Sequence, residues 1–196
     1  GITLLSLSGH KIYGPMGIGA LYIKEGTKIA PLFHGGGQQR DLRPGTLPTA
    51  LCVGLGEACR IANENRERDA QYVGQLRTAF IDTLRKRLGE EFRLNGDMAL
   101  HIPGCISMTF VGLDAEDLLH ELPDLALSTG SACGSMKSES SHVLRAMGLG
   151  AEKVAATIRI GLGRPTSFED IEYAAQQIAG AYPRIKKSSE GSMDIR

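Results

Sequence analysis

Two apolar runs, separated by a glycine-rich turn, open the chain. Ile2-Thr3-Leu4-Leu5-Ser6-Leu7 reads as a buried strand, and Ile18-Gly19-Ala20-Leu21-Tyr22-Ile23 as a second. No period runs through residues 25–48, which centre on His34-Gly35-Gly36-Gly37-Gln38-Gln39-Arg40 and Arg43-Pro44-Gly45-Thr46 and read as irregular and polar. A step of three and four residues then takes over. Val73, Leu76, Phe80, Leu84 and Leu88 make one apolar stripe, which predicts a helical region over about residues 50–88. The dense mixed charges between them read as a solvated face.

Strand and helix signals alternate from there on. Residues 105–111 read as a strand, and residues 114–122 as a helix capped by Asp114 and stopped by Pro123. Leu125-Ala126-Leu127-Ser128 reads as a short strand, residues 140–147 as a helix closed by Gly148, and residues 157–162 as another strand. Thr166-Ser167-Phe168-Glu169 reads as a capping box. It opens a last helix with apolar positions at Phe168, Ile171, Ala174, Ile178 and Tyr182. Residues 187–196 read as a polar, mobile tail. No internal repeat is visible.

Length and composition narrow the function classes. The 196 residues suffice for one large domain or two small ones. With 22 basic and 22 acidic residues, nothing argues for nucleic acid or an anionic membrane as partner. No apolar run approaches the ~18 residues of a membrane span. The start, Gly1-Ile2-Thr3, has no signal-peptide features, lacks an initiator methionine and opens directly inside a strand. It reads as a chain cut from something longer. Cys52, Cys59, Cys105 and Cys133 form no C-x-x-C pair. Free thiols in the cytoplasm fit that spacing better than a disulfide scaffold or a zinc site, so no metal is expected.

Two segments carry chemistry. Ser8-Gly9-His10-Lys11 puts a lysine at a strand end, in a turn that glycine opens. Ser128-Thr129-Gly130-Ser131-Ala132-Cys133-Gly134-Ser135 puts a cysteine in a loop of small residues. An amine and a thiol presented this way point to covalent chemistry at both. A lone lysine is ordinarily a surface residue. Here Ser8 and His10 offer hydrogen-bond donors beside the amine, and Gly9 lets backbone approach a ligand closely. That grouping suits a phosphate next to an amine-bound aldehyde, the needs of pyridoxal phosphate. Cys133 has little apolar wall around it; a free thiol, pKa ~8.5, is only slightly ionised near neutrality and needs a nearby cation. His142 is one candidate, against a plain helix-surface histidine. Cys52, Cys59 and Cys105 read as structural. Arg159 is odd inside an apolar strand, and a buried ion pair is its simplest explanation. The His34-Gly35-Gly36-Gly37 run lacks the G-x-S-x-G elbow of an esterase, and Gly14-x-x-Gly17-x-Gly19 is no dinucleotide fingerprint.

Five ordered blocks resemble the cysteine desulfurases of the class-V aminotransferase family, which are fold-type I pyridoxal phosphate enzymes. The first runs from Ser8-Gly9-His10-Lys11 through Gly19-Ala20-Leu21-Tyr22, the second from His34 to Arg43-x-Gly45-Thr46-Leu47-Pro48. Ser128-x-Gly130-Ser131-Ala132-Cys133 is similar to the nucleophile loop of the branch serving iron–sulfur clusters and nitrogen fixation. His142-Val143-Leu144-Arg145-Ala146-Met147-Gly148-Leu149 and Ile158-Arg159-Ile160-x-Leu162-Gly163-Arg164 complete the series. The resemblance covers nearly all of residues 3–185 and matches the C-terminal half of such an enzyme.

The resemblance implies an α/β fold: residues 1–66 finish a large cofactor-binding domain with a mixed sheet, and residues 67–186 form a small α/β domain. It implies that Lys11 holds pyridoxal 5'-phosphate, that Ser8 and His10 bind its phosphate, and that Thr46 serves the partner subunit's phosphate in a homodimer. It implies that Arg159 grips the carboxylate of L-cysteine and that Cys133 takes the sulfur as a persulfide, leaving L-alanine. The sulfur then passes to an iron–sulfur scaffold or another acceptor protein. An N-terminal half, on the same or another chain, would supply the aromatic stack, the pyridinium aspartate and a glutamine. Ser138-Glu139-Ser140-Ser141 departs from the family by lacking a proline there. A selenocysteine lyase or an aminotransferase of the same fold, or a catalytically incomplete subunit, are the competing expectations.

Overall fold

The computed structural model describes residues 1–129 and 141–193. The chain divides into two compact units, Gly1–Arg66 and Glu67–Arg196.

In the first unit, β1 (Leu4–Ser8) and β2 (Gly19–Ile23) pair antiparallel, with Leu4 opposite Ile23 and Ser8 opposite Gly19. Between them lies a single 3-10 turn, Gly9–Ile12. Gly9 is buried, and its N–H donates to the Ile18 carbonyl at 2.9 Å. A Cβ at Gly9 would lie 2.9 Å from both the Pro15 oxygen and Ile18 Cγ2, so only glycine fits. Tyr13 closes the turn at φ 64°, and the Gly14 N–H returns to the Gly9 carbonyl at 2.9 Å. Helix α1 (Thr49–Leu88) begins in this unit. Gly54 lies under Pro15, where a Cβ would be 2.5 Å from the proline ring.

The second unit is built on β3 (Phe92–Leu94), β4 (Cys105–Phe110) and β5 (Thr157–Gly161), an antiparallel sheet in that order. Helices α2 (Ala115–Glu121), α3 (His142–Ala146), α4 (Ala151–Ala155) and α5 (Phe168–Met193) complete it, with the second half of α1. β4 alternates, so that Ile106, Met108 and Phe110 face inward with Ile158 and Ile160 of β5. They meet Leu76, Phe80 and Leu84 of α1, Leu118 of α2, and Ile171, Ala175 and Ile178 of α5. The other face of the sheet is polar. Thr109 and Thr157 lie opposite each other with their hydroxyls 2.7 Å apart, and Asn95 Nδ2 donates to Ser107 Oγ and Thr109 Oγ1 at 3.1 and 2.9 Å.

Several local expectations shift. The segment 125–128 is not a strand: a tight Leu127 N–H to Leu125 carbonyl bond at 2.8 Å folds it, and only Ser128 bridges, to Arg159. The capping box sits one residue later than expected. Ser167 and Asp170 cap each other at 2.8 and 3.1 Å, while Thr166 Oγ1 accepts from the Gly163 N–H. Phe168 is half exposed rather than core, edge-on to Tyr72 at 6.1 Å. Helix α5 continues to Met193, so most of the segment expected as a tail has helical backbone. Pro183, which has no N–H to donate, sits inside that helix on its exposed side.

Candidate functional site

Ser8, His10 and Lys11 are carried by one turn of the first unit. All three are exposed. Ser8 occupies the N-cap position in extended backbone, φ −109° and ψ 129°, yet its hydroxyl caps nothing. Among the described residues, none of the three side chains has a hydrogen-bond or ion-pair partner. The turn closed around buried Gly9 presents a hydroxyl, an imidazole and an amine together, unused by the described residues. That donor set fits a phosphate and an aldehyde: imidazole and hydroxyl for the dianion, and the amine for the carbonyl carbon.

Thr46 is also exposed and stands just before α1, after Gly45 at φ 110°. The stretch leading to it is unusual: Gln39, Arg40 and Asp41 all have positive φ, at 49°, 58° and 62°. Gln38 Oε1 steadies it by accepting from the Gly45 N–H at 3.1 Å, and Arg43 lies over the Phe33 ring at 5.8 Å.

Arg159 belongs to the second unit. It sits half-buried on the polar face of β5, opposite Ser107. Its backbone makes two bonds with Ser128, donating at 2.6 Å and accepting at 3.3 Å. Its guanidinium has no carboxylate partner among the described residues, so the ion pair offered as its simplest explanation is not found among them. A half-buried, unpaired fork on a polar sheet face can take a ligand carboxylate with two parallel bonds. Cys133 lies outside the described residues, as does most of its loop. His142 is the exposed first residue of α3. Cys52 and Cys105 are partly buried, Cys59 is exposed, and all three are free thiols.

Sequence reasoning missed two features. One is the Ser128–Arg159 bridge, a pairing of residues far apart in the chain, which no local pattern announces. The other is Arg77, which falls among the mixed charges expected on the solvated face of α1 but is only 7% exposed. Its place beside Leu76 and three residues before Phe80, on the apolar stripe, was the available signal. Among the described residues, no group of three His, Cys, Asp or Glu side chains could hold a metal, and no helix is long and apolar enough to cross a membrane.

Comparison with known proteins adds a family to this geometry. The model of the Aminotransferase class-V family matches residues 1–174. "Cysteine desulfurase IscS" of Rickettsia massiliae (strain Mtu5) is 44% identical over 190 residues, covering 96% of this chain and 46% of the relative. The chain therefore spans about half the length of the curated relatives it matches. The crystal structure of a NifS-like protein from Rickettsia africae ESF-5 superposes with a TM-score of 0.83 at 26% identity, over 93% of this chain and 48% of that one. SspA, solved in complex with cysteine, superposes with a TM-score of 0.58 at 34% identity, over 83% of this chain and 44% of that one.

Proposed function

The chain belongs to the class-V aminotransferase family, and from that premise we propose that the protein is a pyridoxal-phosphate-dependent cysteine desulfurase. It converts L-cysteine to L-alanine and leaves the sulfur as a persulfide on Cys133. The observation that carries this reading is the 3-10 turn that presents Ser8, His10 and Lys11 together, with no hydrogen-bond or ion-pair partner among the described residues. The names of the relatives, and cysteine bound to the related SspA, support cysteine as the substrate.

Pyridoxal phosphate, when bound, supplies the electron sink for the reaction. The chain's residues do the rest. Ser8 and His10 bind the phosphate dianion. Lys11 Nζ would hold the cofactor's aldehyde, and its amine would serve as the base that moves the substrate's α-proton. Arg159 fixes the substrate carboxylate with its planar fork. Cys133 Sγ attacks the substrate sulfur as a thiolate. The S–S bond forms, the C–S bond breaks, and the electron pair left on carbon takes a proton to give alanine. The protein works in the cytoplasm as a homodimer, with Thr46 reaching the partner subunit's phosphate. The groups that grip the ring come from an N-terminal half. The persulfide passes to an iron–sulfur scaffold or a similar acceptor protein.

One experiment tests this reading. The full-length protein is loaded with cofactor, reduced with borohydride and digested, and in parallel is given L-cysteine. Mass spectrometry should find the cofactor fixed to Lys11 alone. Cys133→Ala should keep that label and lose alanine formation. Label on another lysine, or near-normal turnover by Cys133→Ala, would overturn the assignment.

A further inference from the structure

Arg77 is the one buried arginine among the described residues. It points from α1 toward the sheet, where its Nη1 donates to the Cys105 carbonyl at 3.0 Å and its Nη2 lies 4.0 Å from Met98 Sδ. A guanidinium carries five N–H donors, so these contacts leave most of them unused. No carboxylate pairs with it among the described residues. Burial lowers its pKa, but arginine keeps its proton at any working pH. A buried, uncompensated charge is costly, and proteins ordinarily place a counter-charge beside one.

The space beside it is an open cleft. Arg77 lines a cleft of about 480 Å³ within the second unit, whose walls include Gly74, Ile81, Leu94 and Met98. Arg85 and His101 add positive charge or donors to the same lining, and Asp82, which has no ion pair among the described residues, stands at its exposed rim. The cleft therefore offers a buried cationic fork, apolar walls and one acceptor near solvent. Bare phosphate would leave the apolar walls unused. A small organic acid would satisfy all three.

We propose that this cleft is a binding site for a small organic carboxylate, distinct from the residues assigned to the reaction. The carboxylate pairs with Arg77, the carbon skeleton lies against Ile81, Leu94 and Met98, and a hydroxyl or ammonium of the ligand donates to Asp82. Arg77 also holds the Cys105 carbonyl at the start of β4. Occupancy of the cleft is thereby felt at the strand whose Ser107 faces Arg159.

L-lactate is a suitable probe because it carries a carboxylate and a hydroxyl but no amine to compete for the cofactor. The full-length protein is labelled on its methionine methyl groups, and the Met98 signal is followed by NMR during titration. This reports on the cleft and not on Arg159. The expected result is a saturable shift of Met98 with a dissociation constant in the millimolar range or tighter. Arg77→Met should weaken it by roughly tenfold or more. Gly74→Leu should abolish it, since a Cβ there meets open space and a leucine fills the cleft without disturbing α1. Gly74→Leu decides the matter even if Arg77→Met fails to fold. A Met98 signal that does not move or does not saturate, or one that behaves alike in wild type and Gly74→Leu, would overturn the proposal.

Discussion

The sheets of the two units are both antiparallel, but they treat their apolar side chains in opposite ways. In residues 67–196, Ile106, Met108 and Ile158 have no exposed surface, because helices α1, α2 and α5 close one face of the sheet. In residues 1–66, Leu4, Leu5, Leu21 and Tyr22 are each about half exposed, at 48%, 49%, 52% and 53%. Two strands alone cannot cover either of their faces, and an isolated hairpin is marginal in water. Leu4, Leu5 and Leu7 of β1 nevertheless put apolar side chains on both faces, the pattern of a strand covered on both sides. The turn bearing Lys11 thus stands on the less self-sufficient unit, while the second unit has a closed core of its own.

A pair of truncations tests this contrast most severely. Phe80→Ala, at a fully buried site, should cost about 3–5 kcal/mol in the 196-residue chain. Leu5→Ala, at a half-exposed one, should cost about 1 kcal/mol or less. Urea denaturation followed by circular dichroism measures both, and equal losses would break the comparison.

A middle-sized effect is expected where α5 is fastened to the sheet. The Tyr182 hydroxyl lies 2.6 Å from both Glu91 Oε2 and the Val111 carbonyl, and Lys186 Nζ reaches the same Glu91 oxygen at 2.8 Å. Burial first, and then the hydrogen bond to Glu91, push the Tyr182 phenol up to about 12. A raised folded pKa favours the neutral phenol in the fold. The stabilisation is therefore complete below the unfolded pKa of about 10, and is lost as pH rises from there toward the folded value. Tyr182→Phe should cost about 1–3 kcal/mol at neutral pH and flatten this alkaline loss of stability. Denaturation midpoints measured from pH 8 to pH 12 are the check.

The smallest effect belongs to the first unit's surface. Arg60 bridges Glu57 and Glu64 along α1 at 2.6 Å, but all three side chains are more than half exposed. Arg60→Ala should change stability by no more than about 0.5 kcal/mol, because exposed pairs are screened by water. A loss well above that, by the same urea measurement, would mean that the unit lacking a core depends on its surface charges instead.

Legibility from sequence followed the range of the interactions. β1, β2, β4, β5 and the long α1 were readable because apolar period and length are local properties. Asp114 was readable as a cap for the same reason, and its carboxylate does accept the Glu116 N–H at 2.8 Å. β3 and α4 were not: three and five residues are too few to show a period. The Thr166 capping box was misplaced by one residue because Ser167 with Asp170 satisfies the same rule one step later. At the candidate site, Ser8, His10 and Lys11 could be grouped from sequence since one turn carries them. Arg159 was visible as an anomaly, but its tie to Ser128 is a tertiary bond, and so is the burial of Arg77 against the Cys105 carbonyl.

The Ser128–Arg159 bridge sets a mechanical limit on the segment that follows it. It pins the chain five residues ahead of Cys133 to the same strand backbone that carries the arginine. Covalent geometry allows five residues a reach of roughly 17–18 Å at most. On the proposed function, the tether of the Cys133 thiol is anchored at the arginine assigned to the substrate carboxylate. On that proposal, any displacement of β5 would move the carboxylate grip and the tether's anchor together.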